Sequence, residues 1–368
     1  MEDNYLIFSD LLNKFNWYYK NLFNWKEKSF VNGKRSVYYG EKKEGKKLTV
    51  VLKIIKIDNN YSEILKELYF LVCCKDSEYF VKIIDFFVDE DKTFAFFILK
   101  DGGVSLKELI DYSRKKDENF NYKNIKNFIK WILFQIISGL YILHKKELIH
   151  HDVKLGNILI SPYGEIKITD FGSADKTKTK RSGTLLYKSP NRLLNKHGTE
   201  KDDMWSVGII LAELYIMSYP FNPNPNNPGE DKEIAQLRGI LSKYELMEGN
   251  AKININNKKE FDYIKKCINE KRYYFKSKLN KINEIDDEDA FDLLENLLKI
   301  DPQKRYSAEQ ALNSKYFSVY SKEFKNCDLI YNENDYKLLL SNVQDLNSFL
   351  GHIELIKQKF FGDILFEK

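Results

Sequence analysis

The chain has 368 residues, with 59 Lys plus Arg, 54 Asp plus Glu and a net charge of +5 at pH 7. A chain of this length can form one large domain or two lobes that each have a core. Because the net charge is small and no basic stripe dominates, the composition disfavours a nucleic-acid-binding protein.

The sequence indicates neither a secretory leader nor a membrane span. The first residues, MEDNYLIF, lack a basic segment followed by an apolar one. The longest apolar stretches, around 131–143 and 207–217, are too short and too interrupted to cross a bilayer. The four cysteines show no CxxC spacing or His pairing, which favours reduced thiols. We therefore expect an intracellular protein, of the cytoplasm or nucleus, that binds neither membranes nor nucleic acid.

The first hundred residues predict a helix followed by strands. Residues 1–28 are rich in aromatic side chains and predict an amphipathic helix that packs on the body. From about 30 to 100, the segments SVYYG, LTVVLKIIK and KTFAFFILK are β-branched and aromatic, with Gly and charged turns between them, which is typical of strands. A helical pattern, YSEILKELYFLV at 61–72, interrupts these strands.

After DGG at 101–103 the pattern becomes mostly helical, with NIKNFIKWILFQIISGLYILH, DDMWSVGIILAELYIM, DAFDLLENLLKI and SAEQALN. PFNPNPNNPG at 220–229 predicts a surface loop, and KININNKK at 252–259 is a polar insert. Residues 318–368 carry a further helical pattern, to which the sequence assigns no role. Strands first and helices later predict an α+β fold of two lobes, the first small and mainly β, the second large and mainly α.

A polar stretch between two apolar runs carries the clearest chemical signal. In LIHHDVKLGNILI, Asp152, Lys154 and Asn157 lie within six residues. Phosphoryl transfer to a hydroxyl needs a carboxylate that accepts the proton, a cation near the transferred phosphate and an oxygen ligand for Mg²⁺. In ITDFGSA, Asp170 follows a short apolar strand and suits a second Mg²⁺ ligand. VVLK ends at Lys53, whose ammonium can pair the α- and β-phosphates.

These motifs resemble those of the eukaryotic protein kinase family. HHDVKLGN resembles the catalytic loop, DFG the magnesium motif and VVLK the strand-three lysine motif. SGTLLYKSPN resembles the end of the activation segment, DMWSVG the start of helix F, and DPQKR the turn before the last helix. The resemblance implies an N-terminal extension at 1–29, a kinase domain at 30–317 (N-lobe 30–101, C-lobe 102–317) and a C-terminal helical extension at 318–368.

The resemblance also implies ATP and Mg²⁺ as cofactors and a protein Ser or Thr hydroxyl as acceptor. The helix-C partner of Lys53 is Glu63 or Glu67, one turn apart, and counting back from the strand FVKII at 80–84 favours Glu67. Adenine is expected to bond the backbone of the segment that connects the lobes, with Leu99 gating a rear pocket. The implied residues are Asp152, Lys154 and Asn157 for catalysis; Asn157 and Asp170 for metal; and Lys53, Glu67, Val31, Gly33, Leu99, Lys100, Asp101 and Gly102 for ATP.

The phosphate-covering loop departs from the family pattern. VNGKRSVYYG gives Val31, Gly33 and Ser36 at the three glycine positions, and Tyr38 where Val is expected. Glycines allow backbone amides to approach the phosphates, so this departure predicts weaker ATP binding. It leaves open a second hypothesis, a pseudokinase that serves as a binding scaffold.

Two further departures concern charge. His151 stands where the family has the Arg that grips a phosphate on the activation segment, and imidazole is mostly neutral at cytoplasmic pH. We therefore expect activity without phosphorylation of that segment. Asn191 stands where the family has a Glu that pairs with the Arg matched by Arg305, which predicts a weaker link. The available phosphorylation sites of the segment are Thr177, Thr179 and Ser182, and Thr179 lies closest to the usual position.

Several features indicate the subfamily. Lys154 with Thr184 resembles serine/threonine kinases, and DMWSVGIILAEL, DPQKRYSAEQALNSKYF and KEIAQL resemble cyclin-dependent kinases and their relatives, including CDK-activating kinases. Helix C does not carry the cyclin-binding sequence, so no cyclin-like partner is implied. Tyr187-Lys188 stands where proline-directed kinases have Tyr-Arg, which leaves a preference for Ser/Thr-Pro open. The C-terminal motifs disfavour a third reading, a small-molecule kinase.

Overall fold

A computed structural model of the chain describes residues 17–31, 35–45, 48–116, 125–176, 183–194, 198–221, 232–241, 287–320 and 345–360. The chain divides into two units, Met1–Gly102 with Asp328–Lys368, and Gly103–Cys327. Gly33, the hydroxyl residues at 177, 179 and 182, most of the proline-rich loop and the polar insert at 252–259 lie outside the described residues. The predicted C-terminal extension thus joins the first unit from Asp328 onward.

The elements of the first unit are α1 (Trp17–Leu22), β1 (Phe23–Val31), β2 (Arg35–Lys42), β3 (Thr49–Lys56), α2 (Tyr61–Cys73), β4 (Ile83–Val88), β5 (Phe94–Lys100) and the C-terminal α10 (Leu346–Phe360). The five strands form an antiparallel sheet in the order β1-β2-β3-β5-β4. Helix α2 lies between β3 and β4 in the chain, as the 61–72 pattern predicted.

The N-terminal helix ends at Leu22, six residues before the predicted end, because Phe23 begins β1. The aromatic residues after Leu22 are strand residues: Phe23 is buried in a core with Tyr38, and the ring of Trp25 lies over Gly40. A Cβ on Gly40 would lie 2.7 Å from that ring, so glycine is needed there. The prediction of a helix for these residues was wrong, because Phe23 and Trp25 alternate with polar residues along a strand and pack across it against Tyr38 and Gly40.

The register of the sheet decides which residues share a face with Lys53. Lys53 pairs with Val37 on β2 and with Phe97 on β5, and directly paired residues point to the same face. Tyr38 pairs with Leu52 and lies in the core on the opposite face. Val37, and not Tyr38, therefore stands where the family pattern expects Val.

The second unit is mainly helical. Its elements are β6 (Val104–Ser105), α3 (Leu106–Lys116), α4 (Ile125–Lys145), β7 (Ile158–Ile160), β8 (Ile166–Ile168), α5 (Pro190–Leu193), α6 (Glu200–Ile216), α7 (Lys232–Leu241), α8 (Glu288–Leu297) and α9 (Ala308–Leu312). The three short strands form a sheet in the order β6-β7-β8. The long helix α4 packs against α6 and α9, and α6 is buried along nearly its whole length. A mainly β unit followed by a mainly helical one confirms the predicted α+β class.

Helix α4 is longer than its apolar stretch suggested. Its segment Lys126–Lys145, with a mean hydropathy of 1.2, is long and apolar enough to cross a membrane by length and composition. Most of that segment is buried within the second unit, as in a core helix. The sequence-based statement that this stretch is too short was therefore wrong, while its burial accounts for its apolar character.

Candidate active site

Helix α6 anchors the stretch that carries Asp152. Asp203, buried on α6, accepts hydrogen bonds from the amides of His150 and His151, each at 2.9 Å. His144 Nε2 lies 3.0 Å from the same carboxylate. Burial raises the pKa of Asp203, but the hydrogen bond and the Coulombic interaction with His144 lower it, so the pKa is below its usual value. A charged carboxylate with three donors therefore fixes the start of the loop.

Both oxygens of the Asp152 carboxylate accept hydrogen bonds. Lys154 Nζ donates to Asp152 Oδ2 at 2.6 Å, and Asn157 Nδ2 donates to the same oxygen at 3.1 Å. Asp152 Oδ1 accepts from the amide of Thr184 at 2.8 Å and from its hydroxyl at 2.7 Å. Lys154 Nζ also donates to Thr184 Oγ1 at 2.9 Å. The structure thus brings the three predicted catalytic residues together and adds Thr184 to them.

The two predicted metal ligands flank one hairpin. Asn157 directly precedes β7 and Asp170 follows β8 by two residues, while Thr169 N donates to Asn157 O at 3.0 Å. Asp170 has a left-handed backbone, φ 67°, an uncommon conformation for a non-glycine residue that is concentrated at functional sites.

The donor set fits Mg²⁺. The amide nitrogen of Asn157 is used by Asp152, and within the described ranges its oxygen accepts no hydrogen bond. An amide oxygen and a carboxylate are ligands that Mg²⁺ prefers. Asn157 and Asp170 are therefore the residues that would hold the ion.

In the first unit, Lys53 on β3 forms an ion pair with Glu67 on α2. Glu67 is nearly fully buried, whereas Glu63 is only partly buried. Of the two glutamates that the sequence offered, Glu67 is the one that Lys53 contacts. A buried carboxylate held against the ammonium fixes the position of Lys53.

In the connecting segment, Gly102 is the residue whose backbone groups could bind a ligand. Leu99 is buried on β5, and the amides of Lys100 and Asp101 already donate to Lys82 O and Thr49 O. Gly102 is buried, and among the described residues neither its amide nor its carbonyl is hydrogen-bonded. Such groups are rarely left unpaired, so Gly102 suits a polar ligand. Val31 is the last residue of β1, and Gly33 lies outside the described residues.

The side chain of His151 is buried and its imidazole is uncharged. Burial lowers its pKa from the ordinary 6.5, against the opposing charge of Asp203. Both ring nitrogens are buried, and neither has a hydrogen-bond partner in the described part of the chain. Its ring lies against Gly198, where an added Cβ would be 2.8 Å from His151 Cε1. His151 is therefore neutral at pH 7.

Arg305 receives its carboxylate from a residue that the sequence did not indicate. The fully buried guanidinium lies 3.4 Å from Asp202 Oδ1 on α6, and it also donates to the carbonyls of Lys299, Lys201 and Ile300. Asn191 makes no hydrogen bond with Arg305 in the part of the chain that the structure describes. The expected Asn191 link is therefore wrong, because Asp202 supplies the anion.

Thr184, Asp203 and Asp202 are the site residues that sequence reasoning missed. Thr184 was noted only as a subfamily mark, and Asp203 lies 53 residues from the amide it binds. The sequence signal that could have found two of them is the pair Asp202-Asp203 at the start of a long apolar run. Carboxylates that are buried with such a run are normally paired with donors or cations.

Comparisons with known proteins agree with this geometry. The family model described as protein kinase domain matches residues 27–317. The chain is 30% identical over 261 residues, 69% of its length, to mitogen-activated protein kinase pmk-1 of Caenorhabditis elegans, covering 64% of that protein. It is 29% identical over 311 residues, 79% of its length, to cyclin-dependent kinase 11.2 of the same organism, covering 45% of it.

A third relative is mitogen-activated protein kinase sty1 of Schizosaccharomyces pombe, 34% identical over 198 residues, which are 52% of this chain and 53% of that protein. The chain thus spans less than two thirds of each of these relatives. Cyclin-dependent kinases are among them, as the motifs predicted, together with mitogen-activated protein kinases. Since the matched domain takes up most of the sequence, the chain belongs to the protein kinase family.

Proposed function

We propose that the chain is an active serine/threonine protein kinase that transfers the γ-phosphoryl group of Mg-ATP to a protein hydroxyl. The observation that carries the proposal is the Asp152 carboxylate, which is held by Lys154, Asn157 and Thr184. Every side chain that this chemistry needs is present on the two units.

Each residue has a distinct role in the proposed reaction. The oxygen of the acceptor hydroxyl forms a bond to the γ-phosphorus, the bond to the β,γ-bridging oxygen breaks, and ADP leaves. Asp152 orients the hydroxyl and accepts its proton, and Lys154 balances the charge of the transferring group. Magnesium held by Asn157 and Asp170 would neutralise the phosphate oxygens.

Ser and Thr are the proposed acceptors because Lys154 and Thr184, the pair that resembles serine/threonine kinases, are in contact beside Asp152. The Thr184 hydroxyl bridges Lys154 Nζ and Asp152 Oδ1, at 2.9 and 2.7 Å. The chain thus places a small hydroxyl residue beside the base on the segment that resembles the end of the activation segment. An intracellular site of action belongs to the proposal, since Cys73 and Cys74 are buried free thiols.

The test is a peptide kinase assay of the purified chain and its Asp152→Asn variant. We expect the variant to lose at least about a hundredfold in kcat, as removal of acid–base groups does. Asp111→Asn, which changes an exposed carboxylate on α3, is the matched control and should keep wild-type activity. Equal activity of wild type and Asp152→Asn would refute the proposal.

The pseudokinase scaffold is the second candidate, supported by the departures at Val31, Ser36 and Asn191, although Asp202 supplies the carboxylate that Asn191 lacks. It is distinguished by a thermal shift with Mg-ATP, because a ligand that binds the folded state raises the midpoint. No shift at millimolar nucleotide, together with no peptide phosphorylation, would favour the scaffold. A peptide array that compares Ser-Pro and Ser-Ala acceptors then settles whether the kinase is proline-directed.

A further inference from the structure

The register of β2 decides which residues stand at the glycine positions of the phosphate-covering loop. The family pattern is Gly-x-Gly-x-x-Gly-x-Val, and the sheet places Val37 at its valine. Counting back from Val37 gives Phe30, Asn32 and Arg35 at the three glycine positions. Gly33 falls between them, so the sequence has glycine at none of the three positions, and at the third it has an arginine.

We propose that Arg35 is a nucleotide-binding residue whose guanidinium binds the phosphates of ATP in place of the backbone amides that glycines expose. The inference rests on the proposed use of Mg-ATP. Glycine allows the backbone to approach phosphates because it has no Cβ. A loop without those glycines needs another donor, and a guanidinium presents a planar fork of N–H groups that matches phosphate oxygens.

Arg35 begins β2 on the face of the sheet that carries Lys53. It pairs with Ile55 on β3, two residues after Lys53, and with Val31 at the end of β1. Positions two apart on a strand share a face, so Arg35 shares a face with Val37, the direct partner of Lys53. Strands on both sides therefore hold the backbone of Arg35 in register.

The spacing places Arg35 and Lys53 within reach of one polyphosphate. They are two residues apart along the strands and one strand apart across the sheet, which separates their Cα atoms by about 8 Å. Glu67 holds the ammonium of Lys53, the proposed partner of the α- and β-phosphates. Arg35 is nearer the turn between β1 and β2, in the loop that covers the phosphates in kinases. It is therefore placed to bind the same polyphosphate from the side of that turn.

The sheet places apolar residues directly beside these two cations. The residues that pair with Arg35 and Lys53 in the described register are Val31, Ile55, Val37 and Phe97. A surface on which positive charge predominates concentrates anionic ligands, and ATP carries more negative charge than ADP or adenosine. The effect of Arg35 is therefore expected to grow with the number of phosphates on the nucleoside.

A purely obstructive role for Arg35 predicts the opposite sign. If the side chain only kept the backbone away from the phosphates, Arg35→Gly would restore the family residue and lower the Kd for Mg-ATP. If the guanidinium binds the phosphates, Arg35→Gly raises that Kd. The direction of the change therefore separates the two roles.

The experiment measures the binding of adenosine, Mg-ADP and Mg-ATP to the full chain by isothermal titration calorimetry. We expect Arg35→Met to raise the Kd for Mg-ATP about tenfold, the size of one charge-assisted hydrogen bond, and that for Mg-ADP by less. The Kd for adenosine should change by less than about twofold. Arg35→Lys keeps the charge without the fork and should recover part of the loss. Lys42→Met removes a charge from the exposed far end of β2 and is the matched control, with all three Kd values unchanged.

A second measurement tests whether Arg35 acts through α2 instead of the nucleotide. Glu63 is partly buried on α2, one turn before Glu67. We expect Glu63→Gln to keep the Kd for Mg-ATP within about twofold, and Arg35→Met to retain its effect in that background. If Glu63→Gln alone reproduces the loss, or abolishes the effect of Arg35→Met, then Arg35 positions α2 and does not bind the phosphates.

Nucleotide binding and phosphoryl transfer fail separately. A wild-type chain that binds Mg-ATP through Arg35 but phosphorylates no peptide overturns only the proposed activity. Unchanged Mg-ATP binding in Arg35→Met, an equal loss for adenosine and Mg-ATP, or tighter Mg-ATP binding in Arg35→Gly would overturn the inference, as would a wild-type chain that binds no Mg-ATP. If Arg35→Met does not fold, Arg35→Gln removes the same charge with a polar side chain. It should show the same loss for Mg-ATP and not for adenosine, and unchanged Mg-ATP binding in Arg35→Gln refutes the role of Arg35.

Discussion

Arg305 and Asp202 form a buried ion pair, with 3.4 Å between Arg305 Nη1 and Asp202 Oδ1. Arg305 is fully buried, its guanidinium lies over the ring of Trp205, and Asp202 also accepts from the hydroxyl of Ser189. The carboxylate that the kinase pattern places at residue 191 therefore comes from α6 in this chain. The end of the activation segment is tied to this pair through Ser189.

We predict that Asp202→Asn lowers the free energy of unfolding by about 3 kcal/mol, because it leaves a buried guanidinium without its anion. Adding Asn191→Glu should recover part of this loss by restoring a carboxylate at the family position. Thermal midpoints of the single and double variants measure both effects, and Glu309→Gln on the exposed side of α9 is the control. If the double variant is less stable than Asp202→Asn, then Asp202 does not replace a carboxylate at residue 191 as the partner of Arg305.

The Lys53–Glu67 ion pair of the first unit predicts that substitutions at Glu67 and at Glu63 have different effects on kcat/KM. Glu67→Gln should lower kcat/KM by about a hundredfold, since small displacements of positioning groups cost that much. Glu63→Gln, one turn away on the same helix and only partly buried, should stay within threefold. Steady-state kinetics with a Ser/Thr peptide provide the comparison, and equal losses in the two variants would show that Lys53 has no preferred partner.

His151 predicts a dependence of stability on pH. Burial lowers its pKa below 6.5, so the unfolded chain takes up a proton at a higher pH than the folded protein does. The contribution of His151 is therefore fully present above pH 6.5 and decreases as the pH falls toward the lowered pKa. The thermal midpoint of His151→Gln relative to wild type should rise between pH 7.5 and 5.5, and a constant difference would show that the imidazole does not titrate.

The neutral imidazole also bears on regulation. A phosphate on the activation segment gains little from His151, which lacks both a charge and the fork of a guanidinium. We expect the triple variant Thr177→Ala, Thr179→Ala, Ser182→Ala to keep kcat/KM within about tenfold of phosphatase-treated wild type, a barrier change below roughly 1.4 kcal/mol. A larger drop would mean that another cation reads the phosphate.

The register of β2 gives a prediction about ATP. Ser36 is buried, pairs with Ile54 and points away from the face of Lys53. Ser36→Gly should therefore leave KM for ATP within twofold and lower the free energy of unfolding by about 0.5–1 kcal/mol, the cost of glycine in a strand. Val37→Ala, on the face of Lys53, should raise KM for ATP instead. A lower KM for ATP in Ser36→Gly would contradict this prediction and would show that residue 36 belongs to the phosphate-covering loop.

Short motifs and hydrophobic periodicity were sufficient to predict the local features of the fold and of the candidate site. The strand that ends at Lys53, the helix at 61–72 and the grouping of Asp152, Lys154 and Asn157 depend on residues close together in the chain, where chemistry and pattern coincide. These local features required no knowledge of distant partners.

Partners that are distant in sequence were not predictable. Arg305 bonds a residue about a hundred positions away, Phe349 meets Tyr61 across almost the whole chain, and β1 is defined by its pairing with β2. The pattern of one segment can indicate which of its faces is buried, but it does not identify the partner, so the contacts of the C-terminal helix and the pairing of the strand at Phe23 were known only from the fold.

The anchoring of His150 and His151 by Asp203 has a consequence for biosynthesis. The loop that carries Asp152 is shaped by a carboxylate 53 residues further along the chain, so a nascent chain cannot order this loop before α6 has left the ribosome. Closing a link of this span has to precede the gain from its hydrogen bonds, which slows folding. Nascent chains that end before residue 203 should therefore remain sensitive to protease near 150, while chains that include α6 acquire protection there in one cooperative step.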